Sequence, residues 1–297
     1  MAKTHVRWNG GTMHAIGAVF TDVGLLGVKT WAHTPKGAAP LEILWDAETG
    51  KLLAVIEAFA MGQLRTAGMA GLATDYLATS NADAMAVCGT GRQAMSQVAA
   101  VHAVRPLRLA RVCGRDAERR ETFAARIRSE LGIAAEVCGD VREAVADAPI
   151  VTLITRAKEP FLTHDMPARG AHINAMGAIT PEHREFAPAL LQRCAVVAVD
   201  SVEQAKTLSG ELIAAWGGDF ARPGFAALSE RVASGARRPE HADLTLFKSL
   251  GVGIADLALA EALYGLARER GLGLELPTPT PAPISFAQTA GGKDEQS

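Results

Sequence analysis

The sequence predicts an α/β protein: a doubly wound parallel sheet plus a small, mainly antiparallel N-terminal α+β domain, rejoined by a C-terminal helix. Three observations predict it. From about residue 84 to 200, short apolar runs alternate with amphipathic stretches, as strands do when helices cover both faces of a parallel sheet. Before residue 60, strand-like stretches are separated by short turns instead, the pattern of an antiparallel sheet. A glycine-rich turn joins the first run of the alternating part to the helix that follows it.

The elements follow in order. "TMHAIGAVF" (12–20), "LLGVKTW" (25–31), "LEILWD" (41–46) and "LLAVIE" (52–57) read as the antiparallel strands, with "DAETGK" as a turn. Residues 57–78, rich in Ala, Leu and Met, form a long helix bridging into the second domain. The parallel strands are 84–88, 109–113, 134–138, 150–154, 171–175 and 195–200, short and apolar on both faces. Helices fill 92–104 and 116–131, the second with Asp116 as its N-cap. Residues 247–271 are apolar at spacings of three and four and read as one long helix. The segment 276–297 is Pro-rich and polar, which predicts a disordered tail.

Bulk properties exclude several classes. The chain has 297 residues, 48% hydrophobic, enough for two domains, and a net charge of −2. That balance gives no electrostatic footprint for nucleic acid or a membrane surface. No apolar run reaches the roughly 20 residues of a spanning helix, and the first residues lack the apolar core of a signal peptide. Cys88, Cys113, Cys138 and Cys194 are scattered, mostly in apolar runs, as reduced core residues of a cytoplasmic protein would be. Without a CxxC or HxxxH pair, a metal site is not expected.

"VCGTGRQA" sets Gly89, Gly91 and Ala94 in a G-x-G-x-x-A pattern between strand and helix, with Thr90, Arg92 and Gln93 between them. The first glycine permits the tight turn, the second lets backbone approach a pyrophosphate, and the small third residue lets helix and strand pack closely. The helix start offers free N–H groups to the phosphates. This predicts dinucleotide binding. At the end of the second strand, Arg115 precedes Asp116. An arginine there suits the 2′-phosphate of NADP(H), whereas an acid in the region suits the ribose of NAD(H). NADP(H) is therefore favoured, with NAD(H) possible.

Two cations stand out before this loop. Lys29 lies in an apolar strand, and Arg65 lies among small residues on a helix of low charge. Each is either a snorkelling surface residue or a buried charge with a partner. Their simplest shared partner is an anionic substrate, because a guanidinium grips a carboxylate bidentately. Thr66, beside Arg65, could donate to a cofactor phosphate.

"GVKTW", "DAETGKLLAVIEA", "LRTAGMAGLATDYLA", "CGTGRQA", "HINAMGA" and "LFKSLGVGIADLALAEAL" together resemble the ornithine cyclodeaminase/mu-crystallin family over about residues 5 to 272. Relatives carry a further few dozen residues at the N-terminus. The resemblance implies a Rossmann-type domain over 67–249 and a substrate and dimerisation domain over 1–66 with 250–275, hence a homodimer. It implies that Lys29, Arg65 and Arg7 bind the substrate carboxylate. Arg65, Thr66, the 89–94 loop, Arg115, Thr155, Met176, Gly177 and Ser249 match cofactor-contacting positions, and Leu250 lies near the substrate. For Ser249, a helix N-cap is an equal reading.

Family members that cyclise ornithine to proline carry an aspartate just after the glycine of the "INA-x-G" segment, as general base. Aligned on "HINAMGAITPE", that position is Ile179. Relatives without the aspartate include reductases of ketimines and cyclic imino acids, and amino-acid dehydrogenases. The expectation is an NAD(P)H-dependent reductase of an α-imino acid, by hydride transfer to C2. The substrate would be a cyclic ketimine such as Δ1-pyrroline-2-carboxylate, or the imine of a keto acid and ammonia. Ornithine cyclodeaminase, opine-type synthesis and a non-catalytic NADPH-binding crystallin-like protein are the alternatives. His172 and His102 read as packing residues, 236–241 as a solvated loop and Trp216 as packing at the domain junction.

Overall fold

Alternation of inward and outward side chains builds the first sheet. The computed structural model describes residues 2–277 and 279–284. Strands β1 (Ala2–Trp8), β2 (Gly11–Phe20), β3 (Leu25–Thr34), β4 (Gly37–Ala38), β5 (Leu41–Asp46) and β6 (Leu52–Glu57) pair antiparallel in the order β1-β2-β3-β5-β6, with β4 beside β3. One face carries Ile16, Ala18, Leu25 and Leu44 into a core. The opposite face shows Met13, Val19, Leu26, Leu41 and Val55 to solvent.

Helix α1 (Phe59–Leu77) leads into the second sheet. There β7 (Ala84–Cys88), α2 (Ala94–Val104), β8 (Leu109–Cys113), α3 (Ala117–Arg126) and β9 (Ala134–Val137) run outward from the middle. Asp116 caps α3 as expected, accepting from Arg119 N at 2.9 Å. After α4 (Val141–Val145) the chain returns to the centre with β10 (Ile150–Leu153) and β11 (His172–Ala175). It continues through β12 (Cys194–Val199), α5 (Val202–Leu208), α6 (Gly210–Trp216), β13 (Phe225–Ala227), α7 (Leu228–Ser234) and β14 (Leu244–Lys248). The order is β13-β12-β14-β11-β10-β7-β8-β9, all parallel. The chain reverses direction across the sheet between β7 and β10, and ligands of such sheets bind at the strand ends beside that point.

Helix α8 (Gly253–Glu269) crosses back and lays Leu257 and Ala260 against the inner face of the first sheet, with Met61 of α1. Residues 247–271 are therefore not one helix. Phe247 and Lys248 end a buried strand, in register with Asn174 and Ala175 on one side and Ala198 and Val199 on the other. Ladder pairing on both edges overrides the helical spacing there. Nor is Ser249 an N-cap: that position is Val252, and the Ser249 hydroxyl donates to Asp200 at 2.9 Å. Trp216 packs edge-on against Phe220 and Phe225 within the parallel domain, near β13, and not at a junction.

His172 is buried in the sheet, bonded to Thr245 and Asn174. His102 takes a hydrogen bond from Leu107 N. In the 236–241 loop, Arg237 and Arg238 tie back to α1 carbonyls. Most of the tail expected to be disordered lies outside the described residues. Leu276, Pro277 and residues 279–284 have no regular secondary structure. Among the described residues no helix is long and apolar enough to cross a membrane.

Candidate active site

Strands β7, β10, β11 and β14 are neighbours in the parallel sheet, and Arg65 of α1 reaches the loop after β14, its guanidinium 3.4 Å from where a Cβ on Gly251 would sit. Gly89 leaves β7 with φ +124°, and a Cβ there would sit 2.5 Å from the Ile154 carbonyl. Only glycine fits this crossing. Gly91 has open space on its exposed side, Ala94 is fully buried at the start of α2, and Gln93 makes no side-chain cap. The first amides of α2 are thus left without a side-chain acceptor, as a pyrophosphate requires. The residues present fit a dinucleotide. Arg92 stacks its guanidinium on Phe59, 4.9 Å from the ring centroid, linking this loop to the start of α1.

At the end of β8, Arg115 is exposed. Beside it Arg120 donates to the Gly114 carbonyl at 2.6 Å, and Thr90 packs close to Gly114. Arg120 is a second guanidinium that the linear pattern did not single out.

The turn after β11 is braced from behind. Buried Glu185 accepts from Thr155 N and Oγ1 at 2.6 and 2.8 Å, from Gly177 N at 2.8 Å and from Ala178 N at 3.1 Å. Burial pushes its carboxyl up, while Lys248 and these donors pull it back. Lys248 donates to the Ala178 carbonyl and pairs with Glu211 at 3.3 Å, both fully buried. One strand over, Asp200 accepts from Ser249 Oγ, Leu250 N and Gly251 N, at 2.8 to 2.9 Å. Two carboxylates therefore fix the loops after β10, β11 and β14.

Between the first sheet, α1 and α8, Lys29 Nζ donates to Asp256 Oδ1 at 2.5 Å, and Arg65 Nε lies 3.1 Å from the same oxygen. The shared partner of the two cations is thus a carboxylate of the chain itself. Burial, then the Arg65 charge, push Lys29 below its ordinary value, and Asp256 opposes them. Two cations against one carboxylate leave a positive charge at this wall. Glu42, the register partner of Lys29, lies beneath.

The other expected site residues divide. Ile179 is 46% exposed. Arg7 is exposed on β1 and faces the same segment. Glu182 is held low first by its bond to the Thr180 hydroxyl, and the Arg7 charge adds to this. The remaining side chains work inward. Thr66 spends its hydroxyl proton on the Gly62 carbonyl, and Thr155 spends its own on Glu185. Met176 packs with Phe247 and Leu228, and Leu250 packs in the core of the parallel domain. Of these, Thr66 alone was expected to donate through its hydroxyl, and that proton is taken by the Gly62 carbonyl.

Sequence reasoning missed Asp256, Glu42, Asp200, Glu185 and Lys248. Two of them carried a signal. Asp256 falls on the buried stripe of α8 with Gly253, Leu257 and Ala260, and Glu42 shares the inward face of β5 with Leu44. An acid on an apolar face needs a partner.

Comparison with known proteins agrees with this architecture. A Δ1-pyrroline-2-carboxylate reductase of Bacillus cereus is 33% identical over 233 residues, 77% of this chain and 71% of that one. The ketimine reductase mu-crystallin of Mus musculus is 36% identical over 223 residues, 75% and 67% of the two chains. The structure of the Thermococcus litoralis Δ1-pyrroline-2-carboxylate reductase, in complex with NADH and L-proline, superposes with a TM-score of 0.84. It is 28% identical, and the match covers 92% of this chain and 88% of that one. The family model for "Ornithine cyclodeaminase/mu-crystallin family" matches residues 25–271, and the chain belongs to that family.

Proposed function

We propose that this protein is a nicotinamide-dependent oxidoreductase acting on C–N bonds, which reduces an α-imino acid to an L-α-amino acid. A cyclic ketimine such as Δ1-pyrroline-2-carboxylate, or the imine of a keto acid and ammonia, is its substrate. The observation that carries this reading is the pair of cations, buried Lys29 and half-buried Arg65, gathered on Asp256 in a chain that also carries the dinucleotide loop. Its relatives named for pyrroline-2-carboxylate and ketimine reduction support the same chemistry.

Bound NAD(P)H supplies the hydride. Lys29 and Arg65, with Arg7 at the rim, hold the substrate carboxylate and so fix the position of C2, and orientation is a large part of such catalysis. Asp256 keeps both cations in place, and Glu185 and Lys248 hold the 176–178 turn still. A neutral imine takes up one proton at its nitrogen before C2 accepts hydride. In this reading Lys29 Nζ, whose proton is loosened by burial and by Arg65, would be the chain's own donor of that proton. Ile179 offers no base to activate water, which favours reduction over release of ammonia from ornithine.

Arg115 at the adenosine end favours NADP(H) over NAD(H). The apolar outer face of the first sheet suits a second copy of the chain, as a homodimer. Val55→Asp on that face would then yield monomers in sedimentation. The four cysteines are free, which fits a cytoplasmic setting. The activity is tested with a panel of imino acids, and of keto acids with and without ammonia, followed by loss of NADPH absorbance. Oxidation with none of them would sink the reading.

A further inference from the structure

Below the carboxylate-binding pair lies an acid that the proposed reaction does not use. Glu42 is 1% exposed, on the inward face of β5. From the elements around it, it is faced by Lys29 of β3, Arg65 of α1 and Asp256 of α8. On β6 its register partner is Ile56, which carries no charge. The stacked His14 and Trp31 share the inner face of the sheet with Lys29, farther along it. Space for the acid is built into the sheet: a Cβ on Gly27 would sit 2.8 Å from Glu42 Oε1.

Glu42 Oε2 is buried without a hydrogen-bond partner, and so is Asp256 Oδ2. Two ionised carboxylates with orphaned oxygens in one apolar pocket are costly, and one of them sheds its charge. Lys29 and Arg65 both contact Asp256 directly. Neither cation reaches Glu42 within ion-pair distance in the described structure. Burial, then the Asp256 charge, push the Glu42 carboxyl up to about 8, against Lys29 and Arg65.

The consequence is a matter of charge. With Glu42 ionised, the four groups sum to zero and offer an incoming carboxylate no net attraction. With Glu42 neutral they carry one positive charge, which a single carboxylate neutralises. We propose that Glu42 is a positioning residue, held as a neutral acid, that keeps the Lys29–Arg65–Asp256 cluster one positive charge in excess and so matched to one substrate carboxylate. Its ionisation in alkaline solution cancels that excess and releases the carboxylate. This rests on the reading of Lys29 and Arg65 as the carboxylate holders.

The test is binding of L-proline, the product expected from a five-membered cyclic imine, to the dinucleotide-bound protein. It is followed by calorimetry from about pH 7 to about pH 9.5 in wild type and Glu42→Gln. Wild-type affinity is expected to fall by up to about tenfold per pH unit once Glu42 ionises, and the glutamine variant to stay flat over that range. Coincident profiles overturn the proposal, including a shared fall, which would mark Lys29 losing its proton. Glu42→Met, uncharged and of similar volume, serves if the glutamine variant melts early. Lys29→Met separates the two readings. L-Proline bound as tightly to that variant as to wild type would mean that the carboxylate is held elsewhere. Weakened binding there, with coincident Glu42 profiles, would sink the role of Glu42 alone.

Discussion

Lys29 Nζ and Asp256 Oδ1 meet at 2.5 Å although 227 residues of chain separate them. The contact joins the first sheet to the last helix and places the two cations on one carboxylate. Removing either side of such a pair leaves a buried charge without compensation, and that cost exceeds what the pair itself contributes.

Asp256→Ala should therefore destabilise the protein by about 3–5 kcal/mol, because Lys29 and Arg65 then repel each other at a buried wall. Urea unfolding measures this. A loss below about 1 kcal/mol, the range of an exposed ion pair, would mean that water reaches the cluster.

Glu185→Ala removes the acceptor of four donors on Thr155, Gly177 and Ala178. Each buried donor left unmade costs about 1–3 kcal/mol. The turn after β11 should loosen, with kcat reduced more than about tenfold and a smaller loss in Glu185→Gln, which keeps one oxygen. Equal activity in all three proteins would show that the turn holds its shape without this acid.

Two buried groups should tilt stability with pH in opposite directions, over overlapping windows. His172 is held at about 3, first by burial, below its ordinary value of 6.5. From pH 6.5 downward the unfolded chain takes a proton that the folded one refuses, so this contribution is lost as pH falls toward 3. Glu42 has the opposite sign. Its raised carboxyl stabilises fully below the ordinary value of 4.5, and the gain is lost as pH rises through about 8. Melting temperatures against pH should show His172→Gln reducing the loss from pH 6.5 down to about 3, and Glu42→Gln reducing the loss from pH 4.5 up to about 8. Unaltered slopes in the variants would assign the titrations elsewhere.

Arg115→Ala should cut the preference for NADPH over NADH by about ten- to a hundredfold, the worth of one charge-assisted bond to a 2′-phosphate. Fluorescence titration with both dinucleotides reads this. An unchanged ratio would pass the role to Arg120, whose guanidinium stands next to it.

The sequence was most informative where structure is local. The apolar runs of the parallel sheet and the turn from Gly89 to Ala94 depend on neighbours a few residues away, and both lie where their patterns place them. Lys29 and Arg65 were conspicuous as cations in apolar surroundings, but Asp256 could not be paired with them, because only the folded chain brings α8 back over β3. The same distance hid Glu185 and Asp200, whose partners are backbone amides with no sequence signature. The spacing of Phe247 and Lys248 continues that of α8 and predicts helix, whereas strand pairing on both edges decides their conformation. Thr66, Thr155 and Leu250 show a further limit: the motifs single out their positions, while the structure engages their side chains within the protein.

The central claim is reduction of a C=N bond at a carboxylate held by Lys29 and Arg65. The most direct measurement mixes the protein with NADPH and Δ1-pyrroline-2-carboxylate, following absorbance together with L-proline formed. Equal loss of NADPH and gain of L-proline, with KM raised about ten- to a hundredfold in Lys29→Met, is the predicted result. No NADPH oxidation with any imino acid, together with steady release of ammonia and proline from ornithine and catalytic NAD, would contradict it.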